Sequence, residues 1–172
     1  NIRSYGKNFD NLLVYLDAIK VCWDIIVLSE TWLDENGVGM GLEGFNWYKT
    51  VRGANRNDGV LVYVRECVCG VSVQEAELGG VHGLLCDFTY NNKQFNLLAV
   101  YRTHDNDLDD FTAALSDHYS HLTKTKTYIL IGDINANILI PDNKTERYLD
   151  VLYECGFMCG IYYPTREVGA SQ

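Results

Sequence analysis

The sequence predicts an α/β fold, a four-layer sandwich in which two mixed β-sheets pack face to face and helices cover the outside. Three observations predict it. Short runs rich in Val, Ile, Leu and Tyr recur from one end of the chain to the other. A few stretches with apolar residues at helical spacing are interspersed among them. One run, Tyr128-Ile-Leu-Ile, is apolar at consecutive positions, the pattern of a strand buried on both faces.

Taken in order, Asn1-Ile-Arg-Ser4 reads as the end of a strand or the loop just after it. Phe9, Leu12, Leu13, Leu16 and Ile19 recur at helical spacing and predict an amphipathic helix over 8–20. A strand follows over 25–29, then a loop holding Gly37, Gly39, Gly41 and Gly44, then a strand over 45–50. Asp58-Gly59 is a hairpin signal, with the returning strand over 60–64. Further strands are predicted over 71–73, 83–90 and 95–101, with Asn91-Asn92 between the last two. Leu108, Phe111, Leu115 and Leu122 define a second helix, led by the acids around 105–110. The strand at 128–131 is next. Tyr148, Val151, Leu152 and Cys155 define a third helix ended by Gly156, and 161–163 reads as a last short strand.

The chain has 172 residues, the size of one domain, so a single domain over 1–172 is expected. No apolar run approaches the ~20 residues of a membrane span. The chain begins at Asn1 without a Met, so its native start is expected to lie further upstream. A net charge of −9 argues against tight, non-specific binding of nucleic acid, which needs clustered Lys and Arg. It leaves a nuclease open, because metal-holding acids add negative charge that a bound cation offsets. The six cysteines form no recognised zinc spacing and are expected to be free, mostly buried thiols in a reducing compartment. Asn143-Lys-Thr145 fits the glycosylation pattern, which has no consequence in an intracellular protein.

Two apolar runs close on an acid: Asp24-Ile-Ile-Val-Leu-Ser-Glu30, and Tyr128-Ile-Leu-Ile-Gly-Asp133. An acid just past a buried strand sits at the rim of the sheet, where open α/β sheets place their chemistry. Glu30 and Asp133 delivered to one edge would make an all-oxygen site suited to Mg²⁺ or Mn²⁺. The competing reading is that strands end in acids simply because loops are polar.

Several short motifs stand in a fixed order: Asn1-Ile-Arg-Ser, Ile-Val-Leu-Ser-Glu30-Thr-Trp-Leu, Gly59-Val-Leu-Val-Tyr-Val-Arg, Ala-Val-Tyr101-Arg, Gly-Asp133-Ile-Asn135-Ala-Asn, Tyr-Leu-Asp-Val-Leu and Pro-Thr165-Arg. In that order they resemble the endonuclease domain of LINE-type (non-LTR) retrotransposons, within the endonuclease/exonuclease/phosphatase family. The resemblance implies a DNase I-like fold and Mg²⁺-dependent (or Mn²⁺-dependent) nicking of DNA. The nick would prime a reverse transcriptase domain in the same polyprotein, in the nucleus of a cell. It implies that Asn1 and Glu30 hold the metal and that Tyr101 reaches the scissile phosphate. It also implies that Asp133 orients the attacking water, Asn135 binds the phosphate and its developing charge, and Thr165 supports the site. Neutral donors such as Asn and Tyr stabilise phosphate charge without repelling a cation.

The chain departs from the pattern at both ends. The family's first strand and its C-terminal Ile-Asp-His and Ser-Asp-His stretches have no counterpart here. None of the four histidines replaces the acid–base pair, His104 included, which reads as an exposed loop residue. A catalytically incomplete copy acting as a binding domain is therefore the alternative, and a phosphatase on the same fold is a third reading. Arg102, Arg52 and Arg56 are candidates to touch DNA phosphates, against a reading as exposed loop charges. Trp32 and Trp47 read as packing, and Asn137 as the cap of a turn.

Overall fold

A computed structural model describes residues 1–51 and 55–165. Along these residues the order is α1 (Tyr5–Ile19), β1 (Ile25–Ser29), β2 (Phe45–Lys49), β3 (Val60–Arg65), β4 (Cys69–Leu78), β5 (Val81–Tyr90), β6 (Lys93–Tyr101), α2 (Leu108–Tyr119), β7 (Lys126–Asp133) and α3 (Asn143–Glu154).

The strands form two sheets. One runs β1-β3-β2 and is antiparallel; the other runs β4-β5-β6-β7, antiparallel except for the parallel pair β6–β7. Side-chain alternation decides the layers. Val60, Val62 and Val64 of β3 meet Leu84, Cys86 and Phe88 of β5 and Leu97, Ala99 and Tyr101 of β6 between the sheets. The intervening residues Leu61 and Tyr63 point the other way, onto Tyr5 and Phe9 of α1. Leu98 and Val100 point away from the sheet interface onto Phe111 and Leu115 of α2 and Tyr148 of α3. The result is helix, sheet, sheet, helix, as the strand-rich pattern predicts.

Helices α2 and α3 start where polar side chains replace the missing intrahelical acceptors. Asp107 accepts from the Asp109 amide at 2.7 Å and the Asp110 amide at 3.3 Å; Asp142 accepts from the Thr145 amide at 2.8 Å. The connection β6-α2-β7 returns to the same sheet, which is what makes β6 and β7 parallel.

Four expectations are corrected. The run at 128–131 belongs to an edge strand: Ile131 is 42% exposed, because among the described residues β7 has β6 on one side only. The 71–73 strand extends over the whole of β4, whose polar residues Gln74, Glu75 and Glu77 are exposed and hide it from a hydrophobicity count. Residues 161–163 form no strand and are exposed. The cysteines are free as expected, but only Cys86 is buried; Cys22, Cys67, Cys69 and Cys159 are exposed.

Among the described residues the hydroxyls of Thr31 and Tyr119 are buried without a hydrogen-bond partner, and that of Tyr119 has a measurable consequence. Tyr119 is 3% exposed, packed against Tyr128 and Phe157, and its Oη has no hydrogen-bond partner among the described residues. Burial pushes its pKa far up, and Tyr148 and Cys155 add smaller upward pushes. An unpaired buried hydroxyl costs about 1–3 kcal/mol. Tyr119→Phe is therefore expected to leave the urea midpoint unchanged or raise it, by up to ~1 kcal/mol of stability. Most core truncations would lower it.

Candidate active site

The site grows from the parallel pair. Tyr101 and Asp133 are register partners at the C-terminal ends of β6 and β7, so their backbones lie side by side at one rim. Gly132, one residue before Asp133, makes this approach possible. Its φ is +151°, and a Cβ there would lie 1.8 Å from the Val100 carbonyl oxygen.

The facing sheet supplies the second acid. β1 ends at Ser29, and Glu30 turns out of the strand at φ +58°. The N-terminal residues run alongside this end: the Ile2 amide donates to the Ser29 carbonyl at 2.9 Å and the Ser4 amide to the Glu30 carbonyl at 3.0 Å. That contact places Asn1 between the two acids. Asn1 Nδ2 donates to Glu30 Oε1 at 2.6 Å and to Asp133 Oδ2 at 2.5 Å. Ser29 Oγ donates to Asn1 Oδ1 and so orients the amide. One nitrogen shared by both bonds keeps the two carboxylate oxygens within about 5 Å, the sum of 2.6 and 2.5 Å.

Asn135 completes the cluster in a left-handed turn at φ +51°. Its backbone amide donates to Asp133 Oδ1 at 2.9 Å, and its Nδ2 donates to the Arg102 carbonyl at 2.7 Å. The Tyr101 phenol feels all of these groups. Burial raises its pKa most, and the Glu30 charge raises it further. The Asn135 hydrogen bond lowers it, and Asp133 and Asp58 add upward pushes. Tyr101 is therefore a neutral hydrogen-bond donor at neutral pH.

Asn1, Glu30, Tyr101, Asp133 and Asn135 are thus gathered at one edge. Thr165 is not: it lies in the exposed segment after α3, and among the described residues no hydrogen bond ties it to the cluster. Arg56 is exposed, and Arg52 lies outside the described residues. Arg102 is corrected outright. It is 6% exposed, and its guanidinium donates to backbone carbonyls, so it offers nothing to a phosphate. Trp47 packs in the core beside α1, and Asn137 caps its turn by accepting from the Leu139 amide at 3.2 Å.

Sequence reasoning missed two participants. Ser29 looked like the ordinary last residue of a strand, and only the returning Asn1 gives its hydroxyl a role. Asp58, read as a hairpin tip, is 8% exposed and lies in a strap beside Glu30. Its carbonyl accepts from the Trp32 amide at 2.9 Å, and the Gly59 carbonyl accepts from the Thr31 amide at 3.3 Å. A signal was present: Asp58 stands just ahead of the apolar run 60–64, with only Gly59 between, much as Glu30 directly follows 25–29.

Beside Asn135 opens a polar cavity of about 390 Å³, lined among others by His104, Asp107, Asn137 and Lys144. His104 is exposed there, and among the described residues no histidine hydrogen-bonds a carboxylate.

The donor set fits a hard divalent cation. Two carboxylates converge as hard oxygen ligands, while Asn1 turns its Nδ2 to them and its Oδ1 to Ser29 Oγ. Among the described residues no group of three or more His, Cys, Asp or Glu side chains could hold an ion. A cation here would take Glu30 and Asp133, would take Asn1 once its amide turned Oδ1 toward them, and would fill its shell with water, as Mg²⁺ does.

No protein-family model matches the chain, and no curated protein matches it in sequence. Solved structures do match its fold. The catalytic domain of Xenopus laevis APE2 superposes with a TM-score of 0.64 at 17% identity, over 88% of this chain and 65% of that one. An AP endonuclease from Archaeoglobus fulgidus gives 0.60 at 16% identity, over 98% and 78%. An endonuclease/exonuclease/phosphatase family protein from Leptotrichia buccalis gives 0.65 at 12% identity, over 88% and 70%. The chain thus spans just under two thirds of the APE2 domain. Two packed sheets flanked by helices, with acids at one rim, are the DNase I-like fold that these endonuclease/exonuclease/phosphatase structures share with this chain.

Proposed function

We propose that this chain is the main part of a DNA endonuclease domain that uses Mg²⁺ or Mn²⁺ to hydrolyse a phosphodiester bond. The observation that carries this is the single Asn1 amide holding Glu30 and Asp133 together beside the Tyr101 phenol and Asn135. A bound cation would polarise a phosphoryl oxygen and offset the crowded negative charge. Asp133 orients a water for attack on phosphorus. Tyr101 and the Asn135 amide donate to the non-bridging oxygens as charge builds there. Water adds to phosphorus, the bond to the 3′ oxygen breaks, and that oxygen leaves as a hydroxyl.

DNA as the substrate is supported by the matched AP endonuclease and by D. rerio TDP2 solved with a single-strand DNA product, at a TM-score of 0.58. The ordered motifs support the finer reading. The domain belongs to a non-LTR retrotransposon polyprotein and acts in the nucleus. Its nick leaves a 3′-hydroxyl for the adjoining reverse transcriptase. The 1–172 chain is one domain of that polyprotein. Among the described residues no helix is long and apolar enough to cross a membrane.

One observation favours a second reading, a catalytically incomplete copy that binds without cutting: no described histidine pairs with an acid at the site. Supercoiled-plasmid nicking separates the two. The endonuclease reading expects relaxed circles with Mg²⁺, none with EDTA, and none from Asp133→Ala. A folded chain that never nicks, at any Mg²⁺ or Mn²⁺ concentration, overturns it in favour of the incomplete copy.

A further inference from the structure

Arg102 donates in several directions, and every acceptor is a backbone carbonyl. Nε reaches the Ile134 oxygen at 2.7 Å, and Nη2 reaches the Asn135 oxygen at 3.0 Å. Nη1 reaches the Asn106 oxygen, with the Thr103 oxygen at 3.4 Å. The backbone of Arg102 works on the same turn. Its amide donates to the Asp133 carbonyl at 3.0 Å, and its carbonyl accepts from Asn135 Nδ2 at 2.7 Å. One residue thus binds the carbonyls of Asp133, Ile134 and Asn135 and the side chain of Asn135.

That turn needs an outside hold. Asn135 sits in the left-handed region, which costs a non-glycine residue of order 1–3 kcal/mol and persists only where the surroundings impose it. The same conformation points successive carbonyls toward the interior, where unpaired acceptors are costly. A planar guanidinium satisfies several carbonyls at fixed angles; an ammonium cannot.

We propose that Arg102 is a positioning residue: it locks the Asp133–Asn135 turn so that the Asn135 amide stays aimed at Tyr101 and at the bound phosphate. Arg102 never touches substrate. The inference rests on the reaction proposed above, and its test separates the two. Arg102 directly follows Tyr101, so one strand end supplies both the phenol and the lock for its neighbour.

The test is Arg102→Lys in this same chain, with the wild type and Asp133→Ala alongside. Misplacement of a reacting group by ~1 Å can cost about 10²-fold in rate. Arg102→Lys is therefore expected to lower kcat for plasmid nicking by about 10²-fold with KM for DNA changed less than about 3-fold. In Arg102→Ala, added guanidinium ion is expected to restore part of that loss. Amide hydrogen exchange and ¹⁵N spectra give a second readout that needs no activity. In Arg102→Lys the Asn135 backbone and side-chain amides lose protection, while Leu98 in β6 keeps it. An unchanged kcat in an active chain overturns the proposal, as does unchanged protection at Asn135. Protection lost evenly at Asn135 and Leu98 overturns it too, because Arg102 would then be a general stabiliser. If the wild type does not nick, the reaction reading fails, and the exchange readout alone decides the role of Arg102.

Discussion

Glu30→Gln is expected to remove the proposed metal-dependent nicking and to leave the fold in place. Glutamine keeps the oxygen that accepts from Asn1 at 2.6 Å, so the local hydrogen bond survives. What is lost is one of the two negative charges that would hold a cation. Lewis-acid stabilisation of phosphoryl charge is worth several kcal/mol, so kcat/KM is expected to fall by about 10³-fold, about 4 kcal/mol of transition-state stabilisation. A thermal measurement without DNA checks the same residue. Saturating Mg²⁺ should raise the Tm of the wild type, since a ligand that binds only the folded state stabilises it. It should leave the Tm of Glu30→Gln unmoved. In metal-free buffer Glu30→Gln should unfold no lower than the wild type, because it relieves repulsion between two carboxylates whose oxygens lie within about 5 Å, the sum of 2.6 and 2.5 Å. Equal nicking by the two proteins would remove Glu30 from the site.

Gly132→Ala is the second large effect, and here stability changes first. The added Cβ would lie 1.8 Å from the Val100 oxygen and 2.8 Å from its carbonyl carbon, both backbone atoms of the neighbouring strand. No side-chain movement relieves that contact, so β6 and β7 must separate where Tyr101 pairs with Asp133. The φ of +151° adds backbone strain for any side chain. Together these are expected to cost about 3 kcal/mol or more, read as a lowered urea midpoint. Whatever remains folded should have lost activity out of proportion, since the displaced bond lies one residue from Asp133. Alanine tolerated at this position within ~0.5 kcal/mol would mean that the β6–β7 register is other than described.

Much of the architecture was legible in the residues. The run at 60–64 is apolar at every position because both of its faces are covered, and the helical spacing at Phe9, Leu12 and Leu16 marks a covered stripe. The acids at 30 and 133 were legible for a related reason: a polar residue ends an apolar run where the chain meets water. β4 was mostly missed, because it is an edge strand whose exposed positions are polar. β7 was found but misread, because its apolar run looks the same whether one neighbour or two flank it.

Single residues divide in the same way. Asn1, Glu30, Tyr101, Asp133 and Asn135 could be chosen from local motifs, since each follows or ends a short patterned segment. Ser29 and the carbonyl-binding role of Arg102 could not, and Asp58 carried only the signal of an acid just ahead of an apolar run. Arg102 has the formula of an exposed phosphate contact, and its carbonyl partners come from a turn more than thirty residues away. Thr165 matched a motif, yet the segment carrying it lies exposed and apart from the cluster.

The sequence by itself determined which segments are strands and helices and which acids end them, because hydrophobic period and strand-end polarity are local properties. Only the tertiary structure decided that two strand ends from different sheets meet within about 5 Å, that a neutral amide stands between their charges, and that a buried guanidinium holds the turn beside them. Those facts depend on packing two sheets and on the parallel return of β7. No window of sequence contains both partners of such a contact.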